Sequence, residues 1–95
     1  DGQSMIKSFK HKGLKAFFES GSTAKINVDH SKKLRLILSD LHAATVIEDM
    51  NAPAYRLHQL KGNRSEWSVR VSGNWRITFE FIDGDAYILN YEDYH

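Results

Sequence analysis

The chain has 95 residues, 41% hydrophobic and 26% charged, with one Pro, six Gly and no Cys. Such a composition describes one small globular domain and excludes a disordered chain, a collagen-like or Pro-rich chain, a disulfide scaffold and a thiolate zinc site. The formal charge is +1, so bulk charge alone does not point to nucleic acid.

Its distribution is uneven. Between residues 5 and 38 eight Lys/Arg meet only Glu19 and Asp29, and residues 39–50 carry Asp40, Glu48 and Asp49 with no Lys or Arg. Residues 51–76 hold Arg56, Lys61, Arg64, Arg70 and Arg76 against Glu66, and residues 77–95 hold five acids and no Lys or Arg. A basic middle followed by an acidic end suits either a phosphate-binding face beside a carboxylate-bearing site or charge complementarity across a sheet. The lack of Cys fits a reducing cytoplasm, and no apolar run approaches the ~20 residues of a membrane span. Asp1–Ser4 read as a cloning scar ahead of Met5, with neither the basic nor the apolar region of a signal peptide, so one domain over residues 5–95 is expected.

Met5–Phe9 alternates apolar and polar, a short strand. Leu14, Phe17 and Phe18 share the i, i+3, i+4 spacing of a helix face over Gly13–Ser20, with Gly21 as its stop. Asp29 or Ser31 is a candidate cap for a second helix, whose stripe of Leu34, Ile37, Leu38 and Leu41 runs to about Thr45. Val46–Ala54 suits one short turn. Period two then takes over: Tyr55–Leu60, Trp67–Val71, Trp75–Phe81 and Tyr87–Tyr91 read as strands. The order β-α-α-β-β-β-β predicts an α+β domain, with two N-terminal helices on a mainly antiparallel sheet.

Register decides which side chains meet. A three-residue loop over Ser72-Gly73-Asn74 pairs Val71 with Trp75, Val69 with Ile77 and Trp67 with Phe79, and keeps the large apolar groups, both Trp included, on one face. Arg70 then opposes Arg76 on the other face, an unfavourable pairing that calls for an anion nearby. The Asp83-Gly84 dipeptide signals a type I′ turn. Regular pairing from it sets Tyr91 opposite Arg76, with Asp93 and His95 following on that face and Tyr94 on the other.

The candidate chemical groups are His58 and Lys61 at the end of the first of these strands, Arg76 within the sheet, and Asp93-Tyr94-His95 at the end of the chain. No G-x-S-x-G elbow, P-loop or dinucleotide fingerprint is present, and His58, Asp93 and His95 lack metal-site spacing. Two imidazoles, a carboxylate, a phenol and two cations suit RNA cleavage by the neighbouring 2′-hydroxyl: His moves protons near neutral pH, Arg and Lys hold phosphoryl charge, and Asp orients an imidazole. His11, His30 and His42 read as surface residues.

The segments Tyr55-Arg56-Leu57-His58-Gln59-Leu60-Lys61-Gly62-Asn63-Arg64, Trp67–Val71, Asn74-Trp75-Arg76-Ile77-Thr78-Phe79 and Asp93-Tyr94-His95, with the opening Met5–Phe9, resemble the HigB type of bacterial toxin in the RelE/ParE superfamily. The resemblance implies a microbial-RNase-like α+β fold and a ribosome-dependent mRNA endonuclease that uses no metal or other cofactor. It places catalysis on His58, Lys61, Arg76, Asp93, Tyr94 and His95. With the charge pattern, it makes Arg56, Arg64, Arg70, Lys7, Lys10 and Lys12 candidates for contacts with RNA and the ribosome. The partners it implies are a small helix-turn-helix antitoxin of HigA type, the 70S ribosome with its mRNA, and operator DNA only through the antitoxin. A non-enzymatic, gyrase-inhibiting toxin of ParE type and a plain protein-binding module are the alternatives.

Overall fold

A computed structural model describes residues 6–62 and 65–94. Met5, Arg64 and His95, with the leading residues 1–4, lie outside the described residues. Two helices, α1 (Lys12–Ser20) and α2 (Ser31–Ala43), precede a four-stranded antiparallel sheet of β1 (His58–Gln59), β2 (Glu66–Ser72), β3 (Trp75–Ile82) and β4 (Asp85–Asp93), paired in chain order. The expected stripes face inward: Leu14 and Phe17 of α1, and Leu34, Ile37, Leu38 and Leu41 of α2, are buried with Val69, Ile77, Phe79 and Leu89 of the sheet. Trp67 and Trp75 are half-buried against this core, as the register requires.

Several local expectations are corrected. Within the described residues the N-terminal segment is not a regular strand. It makes single parallel bridges, Ile6 to Ala86 and Phe9 to Leu89, along the free edge of β4. Neither Asp29 nor Ser31 caps α2. A 3₁₀ turn over Val28–His30 runs straight into it, and Asn27 caps that turn by accepting from the Asp29 amide at 3.0 Å. Val46–Ala54 contains one 3₁₀ turn (Ile47–Met50) and the start of a second (Pro53–Tyr55). This second turn and the left-handed Arg56 that follows leave only two residues of the expected Tyr55–Leu60 strand.

His11 is a cap rather than a surface residue. Its Nδ1 accepts the Leu14 amide at 2.9 Å at the start of α1, and partial burial lowers its pKa below the ordinary 6.5. Only the neutral ring can accept this bond. The unfolded chain therefore takes up a proton before the folded one does, and the stability the cap contributes, complete above the ordinary value, is lost as pH falls through the folded one. His11→Asn, a good capping residue without an imidazole, should hold its thermal midpoint better than the wild type between pH 7 and pH 5. Parallel midpoint curves would refute the role.

Both hairpins contain an extra residue that fixes which face each side chain takes. At the β2–β3 turn, Ser72 rather than Val71 opposes Trp75, so the loop is Gly73-Asn74 and the ladder shifts between Arg70 and Ser72. Beyond that shift the pairs are as expected: Arg70 with Arg76, Val69 with Ile77, Trp67 with Phe79. The β3–β4 turn is Asp83-Gly84, both at positive φ as a type I′ turn demands. Further on, Glu80 pairs with Tyr87 but Thr78 pairs with Asn90, so Ile88 and Leu89 together oppose Phe79. This is a β-bulge, with Ile88 at φ 49°. Ser8 holds it: Ile88 N–H donates to Ser8 Oγ at 2.8 Å and Leu89 N–H to the Ser8 carbonyl at 3.1 Å.

Candidate active site

The bulge reverses the expected faces at the end of β4. Tyr91 pairs with Ile77 and is buried on the core face, and Asp93 pairs with Trp75 in the same phase. Glu92 instead opposes Arg76. Tyr94, whose N–H donates to the Asn74 carbonyl at 2.9 Å, brings its ring under the Arg76 guanidinium at 5.6 Å. The expected grouping of Tyr91 and Asp93 with Arg70 and Arg76 is therefore wrong by one residue, and the cleft holds Tyr94.

Two rungs of the sheet build the cleft on the face away from the helices. His58, Ser68, Thr78 and Asn90 stand opposite one another in sequence across β1 to β4, and Arg70, Arg76 and Glu92 form the neighbouring rung. An open cleft of about 320 Å³ lies over them, lined by Arg56, His58, Leu60, Ser68, Arg76 and Tyr94. Glu92 places a carboxylate opposite Arg76, on the side away from Arg70. Its Oε2 accepts from Thr78 Oγ1 at 3.2 Å and from Asn90 Nδ2 at 3.3 Å, which fixes the carboxylate in the floor. The Arg70 Nε–H donates to the Gly73 carbonyl at 3.3 Å.

Burial raises the Tyr94 pKa, and the carboxylates of Glu92 and Glu66 raise it further while Arg76 works against them. The phenol thus keeps its proton as a donor. Imidazole, guanidinium and phenol in one cleft can exchange a proton, hold an anionic phosphoryl group and stack on or hydrogen-bond a base.

Of the residues singled out from the sequence, the cleft gathers His58, Arg76, Tyr94 and Arg56, with Arg70 on the adjoining rung. Lys61 is exposed in the turn after β1, and Asp93 is exposed at the end of β4. Lys7, Lys10 and Lys12 are exposed at the opposite edge of the sheet, where the Lys7 and Lys10 amides bond the Ala86 and Leu89 carbonyls. His95 and Arg64 lie outside the described residues. Among the described residues, no group of three or more His, Cys, Asp and Glu is placed to hold a metal ion. Sequence reading missed Ser68, Thr78 and Glu92. The first two already stand opposite each other in the expected β2–β3 register but are small polar residues in alternating strands, whereas Glu92 needed the correct β3–β4 pairing.

Arg56 carries strain into the cleft. It occupies the left-handed region at φ 48°, ψ 51°, directly after the 3₁₀ turn that ends at Tyr55. That turn is anchored by the Tyr55 hydroxyl, which donates to the Asp40 carboxylate and is held protonated by burial and by that carboxylate. A non-glycine residue here costs about 1–2 kcal/mol. Arg56→Gly should therefore be about 1 kcal/mol more stable than Arg56→Ala in urea unfolding. Equal stabilities would show that the backbone relaxes.

A small α+β domain with helices on one sheet face and a cationic, imidazole-bearing cleft on the other is consistent with the fold of RelE-like toxins. The family model described as the RelE-like toxin of type II toxin–antitoxin system HigB matches residues 7–95, and the chain belongs to this family. It is 54% identical over 92 residues to the Endoribonuclease HigB of Proteus vulgaris, covering 96% of this chain and all of that protein. It is 30% identical over 96 residues to Toxin HigB-1 of Vibrio cholerae serotype O1, covering 96% of this chain and 98% of that protein.

Proposed function

We propose that this toxin is a ribosome-dependent mRNA endonuclease that cuts at the decoding site by attack of the 2′-hydroxyl on the adjacent phosphodiester. A base takes the 2′-hydroxyl proton and O2′ bonds to phosphorus. The bond from phosphorus to the 5′-oxygen breaks and an acid protonates the leaving oxygen, so the products are a 2′,3′-cyclic phosphate and a free 5′-hydroxyl. His95, oriented by Asp93, is the base and His58 is the acid. Arg76 and Lys61 hold the phosphoryl charge, which concentrates on the non-bridging oxygens as O2′ attacks. Tyr94 stacks on or orients the scissile nucleotide. Arg56, Arg64, Arg70, Lys7, Lys10 and Lys12 contact RNA phosphates in the substrate and the ribosome.

The observation that carries this reading is the convergence of His58, Arg76 and Tyr94, from three separate strands or strand ends, on one open cleft. The 54% identity to a protein named as an endoribonuclease supports the same chemistry. Membership of a type II toxin family supports an antitoxin partner, with operator DNA reached through it, and a cytoplasmic site of action.

Primer extension on an mRNA incubated with the purified protein tests the reading, with and without translating ribosomes and with EDTA in the ribosome-free arm. Cuts only on ribosomes are expected. Cuts on naked RNA would show a free ribonuclease, and none in either arm would return the gyrase-inhibiting and binding-module alternatives.

A further inference from the structure

His30 was expected at the surface, yet it is 8% exposed between α2 and the sheet. Its Nδ1 lies 2.6 Å from the Tyr91 hydroxyl oxygen. That oxygen also receives the Asn27 N–H at 3.4 Å. The His30 tautomer sets which of the two side chains donates in the bond between them. Burial raises the Tyr91 pKa, in keeping with a phenol that retains its proton. Around the bond the rings form a stack. Tyr91 lies on Trp75 with centroids 4.6 Å apart, and His30 sits edge-on to Trp75 at 5.6 Å and to Tyr91 at 6.0 Å.

This stack lies under the exit of β4. Trp75 is the register partner of Asp93, and the amide of Tyr94, three residues beyond Tyr91, bonds the Asn74 carbonyl beside Trp75. The cluster thus ties the last turn before α2 to the strand end that carries Asp93 and Tyr94, from the side of the sheet opposite the cleft.

We infer that His30 is a positioning residue: through its hydrogen bond to the Tyr91 hydroxyl it holds the end of β4 in the phase that delivers Tyr94 to Arg76. Its effect on turnover rests on the nuclease reading, whereas its effect on the order of the strand end does not. His30 touches neither cleft nor substrate, so its removal disturbs alignment and not the chemical groups. A misplacement of about 1 Å at a reacting centre costs up to ~100-fold in rate.

Three variants separate positioning from general packing: His30→Phe keeps a ring without Nδ1, His30→Asn keeps a hydrogen-bonding amide near the place of Nδ1, and Tyr91→Phe removes the hydroxyl. Two readouts are needed. Hydrogen exchange compares the Tyr94 amide with the Phe81 amide, which bonds the Ser65 carbonyl at 2.9 Å at the far end of the sheet. Single-turnover cleavage on ribosomes separates kcat from KM. His30→Phe and Tyr91→Phe should each speed Tyr94 exchange about tenfold with Phe81 unchanged, and lower kcat about tenfold with KM within twofold. His30→Asn should restore most of both. Unchanged Tyr94 exchange overturns the inference, and so does equal acceleration at Phe81, which would mark a general loss of stability. Selective Tyr94 acceleration in a protein that cuts no RNA would sink the nuclease reading and leave the clamp standing.

Discussion

Arg76→Ala should lower ribosome-dependent cleavage about 100- to 1,000-fold while the thermal midpoint stays level. The loss follows from the place of Arg76 in the cleft, between Glu92 on one strand and Arg70 on the other, with its guanidinium over Tyr94. Removing one pre-aligned donor to a developing oxyanion typically costs this much. The midpoint should hold because two effects oppose: the substitution relieves the repulsion with the directly opposed Arg70 but removes the cation facing Glu92 and the Tyr94 ring. A midpoint that drops by many degrees would show that Arg76 braces the sheet. Cleavage within a few-fold of wild type would remove it from the reaction.

His95→Gln should cost about 100- to 10,000-fold in cleavage, the usual contribution of a positioned proton-transfer group, with little change in midpoint. His58→Gln should cost a similar factor, and pH profiles tell the two apart. A base acts only when deprotonated, so losing it removes the acidic limb of the kcat/KM profile; losing the acid removes the alkaline limb. His95 as base and His58 as acid predict the acidic limb missing in His95→Gln. The reverse pattern would exchange their roles, and a fold collapse in His95→Gln would make that residue structural.

Where side-chain period governs, the sequence was a good guide. The stripes Leu14–Phe17 and Leu34–Leu41 became the buried faces of α1 and α2, and the β2–β3 pairing of Arg70 with Arg76 follows from keeping Trp67, Val69, Ile77 and Phe79 on one side. Of the candidate site, His58 and Arg76 were placed together through residue type and resemblance, and an anion beside Arg76 through electrostatics alone. What stayed hidden depends on backbone conformations that the local residues do not advertise. Ile88 is β-branched at positive φ, the reverse of the Gly or Asn that signals such a position, so the bulge and the one-residue error at Tyr91 and Tyr94 were unreadable. His30 gave no hint of burial because its partner lies 61 positions away.

The bulge also ties the opening segment of the chain to the face that its last strand presents. Uninterrupted alternation from the Asp83-Gly84 hairpin carries Tyr91, not Tyr94, onto the cleft face. The groups that satisfy the bulge belong to Ser8, 80 positions from Ile88. Which side chains the cleft receives thus depends on a segment that lines none of it.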